Sequence, residues 1–432
     1  MYVGKFAPVQ IPQQKGIVVA KTGYIYYSNV TGYDSEKKRS IDNRVIIGKA
    51  LEENPTMMTP NDKFFDIFQI KTSEAETNAK MSEVHIKNFR GIKSVNVLDM
   101  RPIVLLSGKN NVGKTTMLEA IFLLMAKGEA AFLQSLNYFR NRMVFNSTNT
   151  EVWEPLFYGR NPENKLEIDS IFEGKPLSLF LEKDSSYIPN GVAGMPNDAV
   201  EQMRLFARNS YSLKGGFSFG SKTSLFHISS SPSGLLTEKE KQIEESIPFP
   251  HVRFVNDAII RSDASVIDLF SRIELEDKKG LIIDILKMID PSIVDITNLS
   301  LNGRSSLYIR NEQGLLPIQF AGDGINKLIY IALCIMQTKG GIVLVDEIES
   351  GFHYTMLSNL WRVIGDLSGQ YDCQVISTTH RIENINAAIN GLRGKEKDFC
   401  YYRLGKTDGE FKAHRFSYDV LKSAIKAELE VR

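Results

Sequence analysis

Cysteine is scarce. Cys334, Cys373 and Cys400 are the three in the chain, and no two form a C-x-x-C pair. Their spacing argues against a disulfide framework and against a cysteine-held zinc site, and it fits a reduced cytoplasm. An excess of one charge is also lacking: 52 Lys and Arg face 51 Asp and Glu, for a formal net charge of +1. A surface for a polyanion therefore has to be a local basic patch. Long apolar runs are missing. The stretch 120–126, AIFLLMA, falls far short of the roughly 18 residues a membrane span needs. The opening MYVGKFAPVQIPQQKG holds no apolar signal core. The expectation is a soluble, cytoplasmic protein with no membrane partner. No internal repeat and no sustained heptad pattern occurs, which excludes a long coiled coil.

What is present is an ordinary globular composition, 43% hydrophobic and 24% charged over 432 residues. That length exceeds one compact core, so several units are expected. Residues 1–70 read as a small β-rich unit: KTGYIYYSNVTGYD and KKRSIDNRVIIGK are Tyr-, Ile- and Val-rich strands, and ENPTMMTPND is a loop with two prolines. Residues 71–82 read as a polar linker. Residues 83–145 form an N-terminal lobe. VHIKNFRGIKSVNVLDM alternates as a β-hairpin turning near Arg90-Gly91, RPIVLLSG is a buried strand, and KTTMLEAIFLLMAKG is a helix apolar on most sides. Residues 146–298 read as an inserted lobe; within it GVAGMPND and SGLLTEKEKQIEES suggest surface loops and a charged helix, and EDKKGLIIDILKMID an amphipathic helix. Residues 299–432 form a C-terminal lobe. Hairpins turn at Asn302-Gly303 and Gln313-Gly314, and helices at 325–338 and 356–367 alternate with buried strands GGIVLVDE and CQVISTTH. The alternation predicts an α/β fold: a mixed, largely parallel sheet flanked by helices.

The sharpest motif is Gly108-Lys109-Asn110-Asn111-Val112-Gly113-Lys114-Thr115, with Thr116 next. It matches the phosphate-loop pattern G-x-x-x-x-G-K-[ST] with a strand before it and a helix after it. The glycines let the backbone N–H groups converge on phosphate oxygens at a helix N-terminus. Lys114 is expected on the β- and γ-phosphates of ATP, and Thr115 on Mg²⁺ through its hydroxyl. The run Ile342-Val343-Leu344-Val345 ends in Asp346-Glu347. Asp346 is expected in the Mg²⁺ shell and Glu347 as the base for the attacking water. The long interval between Lys114 and Asp346 leaves room for the inserted lobe.

Two further segments are weaker by themselves. Gly322, Asp323 and Gly324 stand directly before a helix, either as a tight helix entry or as a second anion-binding start. With one phosphate loop already committed to the nucleotide, the second reading implies a homodimer in which this segment closes on the γ-phosphate held by the other subunit. His380 ends a buried strand, where it either packs structurally or reaches the γ-phosphate or the attacking water.

Together IKNFRGIKS (86–94), GKNNVGKTT (108–116), GDGINKL (322–328), IVLVDEIESGFHY (342–354) and VISTTH (375–380) resemble the ABC-type heads of the RecF-, SMC- and OLD-like AAA-type ATPases. The likeness is strongest to standalone OLD-like ATPases and covers about residues 82–432. It implies that Asn88 and Arg90 touch the nucleotide and that Gly322, Asp323 and Gly324 act as a signature in trans. It implies Glu347 as catalytic base, His380 as switch, and an ATP-closed dimer or higher homo-oligomer. It further implies a role in anti-phage defence or DNA repair, with DNA and a separate nuclease or effector as partners. Arg381 stands where the family often has Ser, and Gln134 is a candidate for the Q-loop glutamine. Residues 23–62 are similar to the N-terminal segment of insertion-sequence transposases. Competing readings are an ATP-dependent scaffold with negligible turnover, a transporter's ATPase subunit, and a small-molecule P-loop kinase.

Overall fold

In a computed structural model the chain is described at residues 9–10, 17–20, 22, 24–34, 39–50, 57–60, 79–129, 133, 135–136, 154–185, 212–231, 234–239, 250–260, 263–301, 303–407, 410–427 and 431. Two compact units are present, Met1–Glu76 and Thr77–Arg432. The candidates Gln134 and GVAGMPND and the turn residue Asn302 lie outside the described residues.

The first unit holds one antiparallel sheet of β1 (Val9–Gln10), β2 (Ile17–Val19), β3 (Tyr24–Asp34), β4 (Arg39–Ala50) and β5 (Met57–Pro60), in the order β1-β5-β4-β3-β2. The loop expected at ENPTMMTPND is in part strand β5. Pro60 is tolerated because it sits at the strand's last position.

The second unit is built on two sheets. Strands β6 (Met81–Phe89) and β7 (Ile92–Leu98) form the expected hairpin. They continue an antiparallel sheet with β9 (Leu166–Phe172), β10 (Lys175–Asp184), β11 (Ser212–Phe219), β12 (Lys222–Ser231) and β13 (Gly234–Lys239), in the order β13-β12-β11-β10-β9-β6-β7. Three expectations are corrected here. Met81 and Ser82, assigned to the linker 71–82, open β6: Met81 is fully buried and its N–H donates to the Gln374 side chain at 2.7 Å. SGLLTEKEKQIEES was read as loop and charged helix, but its residues Gly234–Lys239 pair with β12 as β13. The span 146–298 is no separate lobe, because β9 pairs directly with β6 and so completes the N-terminal sheet.

The central sheet runs β14 (Val252–Val255), β18 (Ile342–Val345), β19 (Gln374–Thr378), β8 (Ile103–Ser107), β20 (Phe399–Thr407) and β21 (Glu410–Ser417). Its first five strands are parallel and β21 returns antiparallel. A small antiparallel sheet of β15 (Asp295–Leu301), β16 (Arg304–Asn311) and β17 (Gly314–Pro317) completes the strands. Helices are α1 (Lys114–Met125), α2 (Asp257–Ile260), α3 (Asp263–Leu275), α4 (Lys279–Lys287), α5 (Asp323–Met336), α6 (Leu357–Gln370), α7 (Ile382–Gly391) and α8 (Tyr418–Lys426).

Side-chain alternation divides the core in two. Val104, Leu106, Ile342 and Leu344 face α1 and the antiparallel sheet. Ile103, Leu105, Val343 and Val345 face α3 to α7. Helix α1 is covered by both sheets, with residues 116–125 all buried, which is why its sequence is apolar all round. Each of its buried Met, Leu, Ile and Phe side chains contributes roughly 1.5–3 kcal/mol by burial. The parallel arrangement sends the loops after β8, β14, β18 and β19 to one edge of the sheet.

Candidate functional site

The phosphate loop leaves β8 at Ser107 and enters α1 at Lys114. Its turn needs left-handed backbone: φ is 148° at Gly108, 63° at Asn111 and 91° at Gly113. A Cβ at Gly108 would collide with the Leu404 carbonyl, and one at Gly113 would lie 2.8 Å from the Phe411 ring. Val112 packs partly against the core, Asn110 is exposed and Thr116 is buried. Gly113 caps α1 without a side-chain hydrogen bond, leaving N–H groups at the helix start for an anion.

Lys114 Nζ donates to the carbonyls of Gly108 at 2.8 Å and Lys109 at 3.1 Å. Burial lowers the pKa of its amine, opposed by the nearby charges of Asp346, Glu347 and Glu349. Thr115 Oγ1 lies 2.9 and 3.1 Å from the two Asp346 carboxylate oxygens. The expected pair, far apart in sequence, is thus in direct contact.

Thr378 joins the two acids. Its hydroxyl donates to Asp346 at 2.6 Å, and the same oxygen accepts the Glu347 N–H at 2.8 Å. Glu347 itself has φ 45°, a conformation disfavoured for a residue with a Cβ. Its carbonyl accepts from the Ser350 N–H at 2.8 Å and from Lys327 Nζ at 2.7 Å.

His380 is held by Glu349. The His380 N–H donates to Glu349 Oε1 at 3.1 Å, and His380 Nδ1 lies 3.3 Å from the same oxygen. The Glu349 side chain is 1% exposed, whereas that of His380 is 36% exposed. Glu349 Oε2 also accepts from Asn384 Nδ2 at 3.5 Å, and Asn384 accepts from buried Trp361 at 2.9 Å. Thr378, Glu349 and Lys327 were not singled out from the sequence. The signal for each was modest: a Thr before the strand-end His, a second Glu after the acidic pair, and one Lys inside an apolar helix.

The remaining candidates lie as follows. Gly322, with φ 94°, caps α5, and Gly324 abuts the loop after the acids: its Cβ would lie 2.8 Å from the Gly351 carbonyl. Asp323 is exposed beside Gly351. Asn88 Nδ2 donates to the Lys165 carbonyl at 2.9 Å, which ties β6 to the segment before β9. Arg90 pairs with buried Glu119 of α1 at 3.1 Å. Both side chains thus brace the hairpin.

A divalent cation fits the chemistry of this edge. Thr115 and Asp346 offer only oxygen donors, as Mg²⁺ requires. Among the described residues no group of three or more His, Cys, Asp or Glu gathers.

Among known proteins, residues 103–383 match the family described as "AAA domain, putative AbiEii toxin, Type IV TA system". An "ATP/GTP phosphatase" of Helicobacter pylori is 22% identical over 340 residues, covering 74% of this chain and 90% of the relative. An uncharacterized protein of Methanocaldococcus jannaschii is 40% identical over 55 residues, covering 12% of this chain and 25% of its own length. Among solved structures, an SMC head bound to the C-terminal winged-helix domain of ScpA matches at TM-score 0.47 and 13% identity, covering 79% of this chain and 99% of that one. The Pyrococcus furiosus SMC head with an extended coiled coil matches at 0.43 and 11%, covering 81% and 99%. The matched family span runs from β8 to the start of α7 and contains the phosphate loop, the acidic strand end and His380; the chain belongs to this AAA-domain ATPase family.

Proposed function

We propose that the protein hydrolyses ATP to ADP and phosphate at the edge where the loops after β8, β18 and β19 meet. The observation that carries this reading is the contact of Thr115 with Asp346, bridged through Thr378 to Glu347. The loop N–H groups and Lys114 bind the phosphates. Thr115 and Asp346 hold Mg²⁺, which when bound neutralises charge developing on the β- and γ-oxygens. Glu347 orients and deprotonates the attacking water, and His380, fixed by Glu349, hydrogen-bonds the γ-phosphate. The name of the Helicobacter pylori relative supports a nucleoside-triphosphate phosphatase.

The finer reading is an OLD-like switch. Two subunits close on two ATP molecules, with Gly322 to Gly324 of one completing the site of the other. Closure reports to DNA and to a separate nuclease or effector in cytoplasmic anti-phage defence or DNA repair. The family's description as a toxin of a toxin–antitoxin system supports the defence branch.

The test is phosphate release by the full chain, with and without Mg²⁺, beside Glu347→Gln. The variant is expected to keep ATP binding and to slow turnover by roughly 10²–10⁴, the usual size of a general-base contribution. Hydrolysis at the wild-type rate in Glu347→Gln rejects Glu347 as the base. Binding without turnover in the wild type favours the scaffold reading.

A further inference from the structure

Lysine is rarely buried unless it is paired. Lys327 is 2% exposed within the apolar helix α5. Its Nζ donates to the Glu347 carbonyl at 2.7 Å and to Asp257 Oδ1 at 3.1 Å. Asp257 Oδ2 in turn accepts the Ser350 hydroxyl at 2.9 Å. One buried amine thus joins three segments: α5, the start of α2 after β14, and the loop that carries the acids.

The carbonyl it holds belongs to the peptide with φ 45°. A non-glycine residue stays in that region only where its surroundings over-determine it. Here the Glu347 N–H is fixed by Thr378 on one side. On the other, its carbonyl is fixed by Ser350 N–H and Lys327. The Ser350 bond closes a local turn, whereas the Lys327 bond reaches out of it to another helix. Lys327 lies one turn into α5, just beyond Gly324, and Gly324 itself abuts Gly351. A shift of the α5 N-terminus therefore moves the Glu347 peptide through Lys327.

We infer that Lys327 is a positioning residue for hydrolysis: it clamps the strained Glu347 peptide to α5, so that the aim of the Glu347 carboxylate follows the position of the Gly322 to Gly324 segment. This rests on the reading of Glu347 as the base. It adds a link within one subunit between the helix start and the acid that the water meets.

Removing the amine leaves the fold with alternatives. The Glu347 carbonyl retains Ser350 N–H, and Lys327 borders a cavity of about 220 Å³ that also touches Asp257, Asp323 and Ser350 and admits water. The experiment compares Lys327→Met, Lys327→Arg, Glu347→Gln and the double variant Lys327→Met/Glu347→Gln in the full chain. It measures kcat, KM and the affinity for a non-hydrolysable ATP analogue. In Lys327→Met the kcat is expected to fall about 10–100-fold, as for a misaimed catalytic group, with analogue affinity unchanged. Lys327→Arg restores part of the rate, because a long donor again reaches the carbonyl. The double variant is no slower than Glu347→Gln alone, because the clamp acts only through that carboxylate.

Wild-type kcat in Lys327→Met overturns the proposal. So does a loss in the double variant equal to the product of the two single losses, which marks a general structural effect. If Lys327→Met does not fold, Asp257→Asn weakens the second anchor while leaving the amine in place. A smaller loss in kcat at unchanged analogue affinity is then expected, and no loss overturns the proposal. An unchanged rate in Glu347→Gln alone rejects the base itself, and the clamp falls with it; a failure confined to the Lys327 variants leaves the base standing.

Discussion

The Thr378 hydroxyl lies 2.6 Å from the Asp346 carboxylate. The two residues come from neighbouring parallel strands, β19 and β18. Because the same hydroxyl oxygen receives the Glu347 N–H, one threonine orients both acids. Thr378→Val keeps the β-branched shape and removes both bonds. The stranded Glu347 N–H is expected to cost about 1–3 kcal/mol of stability, read as a lower denaturant midpoint. ATP turnover falls with it, while binding of the ATP analogue survives.

Lys114→Ala removes the phosphate-loop cation at the start of α1. Tight ATP binding is expected to be lost, because a charge-assisted contact to the β- and γ-phosphates is gone. The fold persists, since among the described residues Lys114 bonds only carbonyls of its own loop. Isothermal titration at wild-type affinity would refute the loop's assignment.

Glu349 is the acceptor for both His380 N–H and Asn384. Glu349→Ala leaves the buried Asn384 amide and the part-buried His380 N–H short of a partner, for an expected loss of about 1–3 kcal/mol. Glu349→Gln retains an acceptor oxygen and is the milder change. Thermal melting ranks the two. If His380 acts on the γ-phosphate, both variants lower kcat more than they change KM, and His380→Ala does the same.

The trans-acting role of Gly322 to Gly324 calls for mixed dimers. Gly324 is unsuited as the probe, since any side chain there meets Gly351 in its own subunit. Asp323 is exposed, so Asp323→Arg is the cleaner block. Mixed with Lys114→Ala, it forms one composite site with a sound loop and a sound signature. Partial activity is expected from two dead variants. A dead mixture in which native mass spectrometry shows heterodimers counts against the trans arrangement.

Burial raises the thiol pKa of all three cysteines from the ordinary 9.0, Cys334 to about 12 and Cys400 to about 11, and Cys373 likewise upward. These groups stay neutral in the fold while unfolded thiols ionise. Stability is therefore complete below pH 9 and declines as pH rises through the folded values. Denaturant midpoints measured upward from pH 8 are expected to fall, and Cys400→Ala to flatten the slope. Native thiols should also resist alkylation until the chain unfolds.

The hairpin around Arg90-Gly91, the buried strand before the phosphate loop and the strand ending in Asp346 were legible because each carries its own period or turn chemistry over a few residues. The strand β13 was not: GLLTEK opens a stretch with the composition of an exposed helix, and only pairing with β12 makes it a strand. Met81 was hidden by its polar flank, and its burial depends on Gln374, distant in sequence. Arg90 shows the same limit from the other side: its ion pair with Glu119 on α1 joins residues that no local pattern relates.

By itself the sequence determined the phosphate loop, the two acids and the α/β alternation, since a backbone that cradles phosphate and a strand that ends in carboxylates are local properties of residue type and order. Tertiary structure alone decided which groups hold the acids in place. Thr378, Lys327 and Glu349 reach Asp346, Glu347 and His380 only because parallel strands bring their loops to one edge, where a hydroxyl, an amine and a carboxylate meet at hydrogen-bond distance. No spacing in the chain encodes those distances; they follow from the register of the sheet and the packing of α5 against it.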